Sequence, residues 1–120
     1  MRFMMFMIPE VYRKPVPPDF APDPEAVRKM GEYNRKLREA GVLLALDGLS
    51  PPATGARVSF SGGKAMVTDG PFAETEEVIG GYWMIRVGSR EKAIEWAKRC
   101  PAAANDVIEV RRVYEPEDIG

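Results

Sequence analysis

Phe3-Met4-Met5-Phe6-Met7-Ile8 is an unbroken apolar run. A half-exposed strand alternates apolar and polar side chains. Six apolar residues in succession, closed by Pro9 and Glu10, instead describe a strand covered on both faces and paired inside a sheet. The run is too short for a bilayer and no small-residue cleavage site follows it, so it reads as neither a membrane span nor a signal peptide.

Working outward, the stretch from Pro9 to Pro24 holds Pro9, Pro15, Pro17, Pro18, Pro22 and Pro24. Proline fixes φ and lacks the amide donor, so residues 9–22 are expected to form a loop, one placed to act as a lid over a cleft. Asp23 then caps a helix with Pro24 at its first position. Ala26, Val27, Met30, Tyr33, Leu37 and Ala40 recur along one face of it, and Gly41 ends it. Val42–Leu46 reads as a second strand, punctuated by Asp47-Gly48-Leu49-Ser50-Pro51-Pro52.

Arg57–Phe60 and Lys64–Thr68 flank Ser61-Gly62-Gly63 and read as a β-hairpin, because the two glycines supply the positive φ of a tight reversal. Tyr82–Val87 is aromatic and β-branched, an inner strand, and Gly80-Gly81 before it marks a bulge or a close backbone approach. Ser89 caps a second helix with Ala93, Ile94, Ala97 and Cys100 as its apolar stripe, and Pro101 stops it. Val107–Val113 is a last strand, with Ile108 and Val110 on one face and Glu109 and Arg111 on the other. The acidic residues from Glu115 to Asp118 are expected to fray.

Strand, helix, strand, hairpin, strand, helix, strand is a split βαβ pattern with one strand pair inserted. It predicts a single α+β domain over residues 1–120, ferredoxin-like, with an antiparallel sheet and both helices on one face. The other face carries Tyr82 and Met84, or Trp83, and calls for cover by a second copy of the chain, hence a homodimer.

Composition narrows the chemistry. Seventeen basic and eighteen acidic side chains leave a net charge of −1, which argues against nucleic acid or an anionic membrane as partner. The single cysteine, Cys100, excludes an intrachain disulfide and a zinc site of paired cysteines, and fits a cytoplasmic location. Histidine is absent, which removes imidazole-relayed triads and most transition-metal sites. Neither a metal nor a cofactor is predicted. Glu74, Glu76 and Glu77 lack the Asp, Asn and Gly pattern of a calcium loop and read as a solvated turn.

The segment Val67-Thr68-Asp69-Gly70-Pro71-Phe72-Ala73-Glu74-Thr75, with Gly80-Gly81-Tyr82-Trp83 after it, resembles the DGPF motif of the YCII-related (DGPF domain) proteins of bacteria. Ala40–Leu43, Leu49–Thr54, Ala93–Ala97 and Cys100–Ala103 also look like that family's landmarks. The resemblance implies a ferredoxin-like fold that dimerises through its sheets into an α+β barrel, with a pocket near the dimer interface and no settled activity. Some relatives carry a histidine and aspartate pair. Here the corresponding positions fall near Met30 and at Cys100, so that dyad does not carry over. The family's association with extracytoplasmic-function sigma factors keeps a transcription-linked regulatory role open.

Candidate ligand-binding residues are Asp69, Gly70, Pro71, Phe72, Tyr82 and Arg86. Asp69 sits where a carboxylate either stabilises its turn, accepting amides two residues on, or faces a pocket as ligand contact or catalytic acid or base. Phe72 reads as an apolar plug or a stacking ring, and Arg86 and Arg112 as surface charges or an anion contact. Cys100, at a helix C-terminus, reads as a packed thiol rather than a nucleophile. Three functions follow: a dimeric small-molecule-binding domain with its cleft at the dimer interface, an enzyme using Asp69, or a regulatory partner in transcription.

Overall fold

The computed structural model describes residues 1–72 and 77–119. Six strands and three helices run in the order β1 (Arg2–Ile8), α1 (Pro24–Glu39), β2 (Leu43–Gly48), β3 (Ala56–Ser61), β4 (Lys64–Asp69), β5 (Gly81–Arg86), α2 (Arg90–Lys98), β6 (Val107–Arg112) and α3 (Pro116–Ile119). The fold is α+β. A four-stranded antiparallel sheet has the order β2-β5-β1-β6, and β3 and β4 form a separate two-stranded sheet. The apolar opening run is the interior strand its composition requires, paired with β5 on one side and β6 on the other.

Strand alternation divides the sheet's side chains cleanly. Met5 stands opposite Trp83 and Val110, and these point with Phe3, Ile85 and Ile108 toward the helices. There they meet Tyr33 and Leu37 of α1 and Ala93 of α2, which places both helices on one face. Phe3, Met5, Leu37 and Ile85 are fully buried, each contributing about 1.5–3 kcal/mol of transfer free energy. The ring of Trp83 stands edge-on to that of Tyr33, with centroids 5.8 Å apart. Its Nε1–H donates to Asn34 Oδ1 at 2.8 Å, and the Tyr33 hydroxyl donates to the Trp96 carbonyl at 2.7 Å. The two polar tips in this core therefore both have partners.

The opposite face carries Met4, Phe6, Tyr82 and Met84 on its two inner strands, all half-buried, and neither α1 nor α2 packs there. Tyr82 and Met84 lie on this face and Trp83 on the other.

Helix ends follow local chemistry. The Asp23 carboxylate accepts from Ala26 N–H at the start of α1 and Ser89 Oγ from Lys92 N–H at the start of α2, both at 3.2 Å. Gly41 has φ +74°, the left-handed residue that ends α1. Apolar periodicity overstates the packed length of α1, however: Tyr33 and Leu37 are buried, but Ala26 and Val27 are exposed because the first turns overhang the sheet. Strand β2 runs on to Gly48 rather than ending at Leu46, with a register shift between Leu43 and Ala45 that turns Leu44 outward.

One further expectation is corrected. The acidic C-terminal residues do not fray. Glu115 takes a two-pronged ion pair from Arg2, Nε to Oε1 at 2.7 Å and Nη2 to Oε2 at 3.1 Å, and Asp118 accepts from Glu115 N–H at 2.8 Å to start α3. Bidentate geometry is what distinguishes this contact from an ordinary surface pair. Residues 9–22 form a loop with internal order. A 3-10 turn spans Glu10–Arg13, and the Tyr12 and Phe20 rings meet edge to face with centroids 6.1 Å apart.

No helix among the described residues is long and apolar enough to cross a membrane.

Candidate functional site

At the end of the sheet where β1 and β2 finish and β5 begins, the proline-rich segment folds over a cleft of about 1180 Å³. The segment lies flush because of glycine. A Cβ at Gly80 would stand 2.7 Å from Pro9 Cγ and 3.3 Å from Tyr12 Cε2, so any side chain there would lift the segment off the sheet. Gly80 also donates its N–H to the Met7 carbonyl at 2.8 Å and accepts Leu49 N–H at 2.9 Å, tying the cleft floor to β1 and to the loop after β2. The Gly80-Gly81 signal is thus a close approach, with Gly81 likewise packed on the Asp47 carbonyl.

The wall is made by Tyr12, Phe20, Ala26 and Leu49, with prolines between. Ala26, read from periodicity as a core position, faces this cleft. Most of the charged side chains at its rim already have structural bonds. Asp106 accepts the N–H groups of Glu10 at 2.9 Å and Ala103 at 3.0 Å, and Asp23 caps α1. Arg13 Nη2 donates to the Asn105 carbonyl at 3.1 Å, and the Tyr12 hydroxyl donates to the Leu49 carbonyl at 3.2 Å. Partial burial pushes the Tyr12 phenol above its ordinary pKa, which keeps it a donor. A mostly apolar, aromatic-walled cavity with a few oriented polar groups is the usual form of a small-molecule site. Its rim carries two cations, Arg13 and Lys14, and three carboxylates, Glu10, Asp23 and Asp106.

None of the six residues singled out from sequence lines this cleft, and the structure does not gather them. Asp69, Gly70, Pro71 and Phe72 lie at the base of the β3–β4 hairpin. Asp69 is exposed and pairs with Ala56 as the last rung. The residue two places after it is Pro71, which has no amide to give, so the turn is closed instead by Gly70 N–H donating to the Gly55 carbonyl at 2.9 Å. The Gly70–Pro71 peptide bond is cis. Phe72 neither plugs the core nor lies open. Its half-buried ring carries the Arg57 guanidinium 4.0 Å above its centroid. Tyr82 is on the face away from α1 and α2, where its hydroxyl donates to Asp47 Oδ2 at 2.6 Å, and that bond raises its pKa. Arg86 is exposed at the far end of the same strand, opposite Arg2. Glu74 and Glu76 lie outside the described residues, and Glu77 is exposed.

Met30 and Cys100 come together: Cys100 Sγ lies 3.9 Å from Met30 Sδ. Burial, with a smaller push from the Asp106 charge, raises the thiol pKa to about 12, which suits a packed group and not a nucleophile. Because the folded thiol holds its proton where the unfolded one, near 9, releases it, stability is fully present below pH 9 and declines as pH rises toward 12. We expect Cys100→Ser to flatten that alkaline decline in melting temperature, and native Cys100 to alkylate far more slowly at pH 8 than in denaturant. Equal alkylation rates would show an open thiol.

The sequence matches the model of the YCII-related domain over residues 1–117. It is also 30% identical, over 101 residues, to an uncharacterized protein of Rhizobium meliloti (strain 1021), an alignment covering 81% of this chain and 82% of that one.

Proposed function

Since the chain belongs to the YCII-related domain family, and the relative it matches carries no assigned activity, we propose a function from the cleft: a small-molecule-binding domain that works as a cytoplasmic homodimer. The observation that carries this reading is the aromatic and proline-walled cavity beneath residues 9–22. Two of its carboxylates, Asp23 and Asp106, are engaged as fixed hydrogen-bond acceptors rather than poised for proton transfer. The ligand it fits has an apolar or aromatic body for Tyr12 and Phe20 and an anionic group for Arg13 and Lys14.

The dimer reading draws on the strand order β2-β5-β1-β6 with both helices on one face, the ferredoxin-like arrangement. It also draws on Met4, Phe6, Tyr82 and Met84 standing on a face that neither α1 nor α2 covers. Two such faces packed together make a dimeric α+β barrel.

A thermal-shift screen of aromatic and aliphatic carboxylates supplies the first ligand. Phe20→Ala and Tyr12→Ala should then weaken its binding at least about tenfold, the loss of one anchoring ring, and Asp69→Asn should leave it unchanged. Binding indifferent to both ring deletions but lost in Asp69→Asn would move the site to the hairpin base and favour an enzyme.

A further inference from the structure

The β3–β4 hairpin is the least explained part of the molecule. Every residue of both strands is exposed, and Phe60 keeps 80% of its surface in solvent. The exposure is not random. In the observed register Val58 faces Val67 and Phe60 faces Ala65, with Ala56 opposite Asp69 at the base of the same face. Arg57, Ser59 and Ser61 pair with Thr68, Met66 and Lys64 on the other. This is the alternation of a strand pair with one face buried, yet among the described residues nothing covers it. A lone two-stranded hairpin is marginal in water. The radius of gyration, 16.2 Å, exceeds the roughly 14 Å of a compact domain of this length, as an outstretched arm requires.

We infer that the apolar face of this hairpin, Val58, Phe60, Ala65 and Val67, packs on the body of a second copy of the chain. The inference rests on the homodimer proposed above and adds the element that clasps it. Area favours this occupant. Four strands of six residues present a face of roughly 400 Å², about half the ~800 Å² per partner of a standard interface. A hairpin arm offers roughly 200 Å² more on one side. One arm given and one received by each copy therefore close the gap. Symmetry favours it too: a single two-fold axis covers both the sheet face away from α1 and α2 and the arm of each chain, and leaves no open surface to propagate a fibre. An unrelated partner on the arm would leave the sheet face bare.

The arm's exposed residues can be changed without touching the buried core. Sedimentation equilibrium of the full chain and of the Phe60→Asp, Val67→Asp double variant gives the first readout, with Ser59→Asp on the polar face as control. We expect a dimer, weakened at least about 100-fold by the double variant, as for loss of central anchors, and little altered by the control. The second readout is direct: in a sample mixed from labelled and unlabelled chains, isotope-filtered NOEs should connect the Val58 and Val67 methyls to the other copy. A dimer that keeps its affinity in the double variant and shows no such NOEs would overturn the arm's role and leave the sheet-face dimer standing. A parent chain that is monomeric at tens of micromolar would overturn both.

Discussion

Phe3→Ala should destabilise the protein by about 3–5 kcal/mol, the largest loss from any single truncation proposed here. Phe3 is 1% exposed at the heart of β1, between Ile85 on β5 and Arg112 on β6, under the helices. Its removal forfeits the transfer free energy of a whole ring and leaves a void that strands paired on both sides cannot close. Against the 5–15 kcal/mol typical of a domain, that is a major fraction. Urea denaturation at one fixed protein concentration measures it as a lower midpoint with an unchanged slope. Val27→Ala, on the exposed first turns of α1, should change the stability by less than about 0.5 kcal/mol. A Phe3→Ala loss under about 1 kcal/mol would mean that the core is centred elsewhere.

The second large effect is expected at Gly70. A Cβ built there would lie 1.8 Å from the Pro52 carbonyl oxygen and 2.8 Å from its carbon. The obstacle is backbone, so no rotamer change relieves it. Gly70→Ala must push the Pro51–Gly55 turn away from the hairpin base and break the 2.9 Å bond from Gly70 N–H to the Gly55 carbonyl. Overpacking of this kind costs about 1–3 kcal/mol and the lost hydrogen bond about 0.5–1.5 more. Gly55→Ala is the matched control: its Cβ would sit 3.5 Å from the same oxygen, an ordinary contact. Amide hydrogen exchange along β3 and β4 should accelerate in Gly70→Ala and remain near the parent rate in Gly55→Ala. Similar exchange in both variants would show that the turn yields freely. The glycine of the Asp-Gly-Pro-Phe stretch thus has a steric reason at this place, independent of any ligand.

How far these features could be read from sequence depends on whether their cause is local. The apolar run 3–8, the Asp23-Pro24 start and Gly41 end of α1, the Gly62-Gly63 turn and the Ser89 cap are each dictated by neighbours in the chain, and each stands where expected within two residues. Misreadings arose where distant partners decide. Val27 has the right period to be buried but lies beyond the edge of the sheet, and Glu115 looks like a loose tail until Arg2 is brought beside it. The lining of the cleft under residues 9–22 is non-local in the same way. Its wall joins Tyr12 and Phe20 to Ala26 and Leu49, and the only sequence signal was a pair of aromatic rings among the prolines. Conversely, the conspicuous Asp69–Phe72 stretch, Tyr82 and Arg86 are near in sequence or on one strand, yet stand at the hairpin base, the sheet centre and the strand end.

The bond from Leu49 N–H to the Gly80 carbonyl bears on how the chain reaches this form. Strands β2 and β5 are neighbours in the sheet, but residues 49–80 intervene, so no tight turn zips them together. The other two pairings of the main sheet, Phe3 with Ile85 and Phe3 with Arg112, also join distant segments. Only β3 and β4 are joined locally, and such a hairpin can form in about 1–10 μs. The main sheet must wait for three long loops to close, which places the chain with the slower, non-local folders. Each doubling of loop length adds about 0.6 kcal/mol to closure, so the detour between β2 and β5 sets part of the folding barrier although it adds nothing to the core it delays.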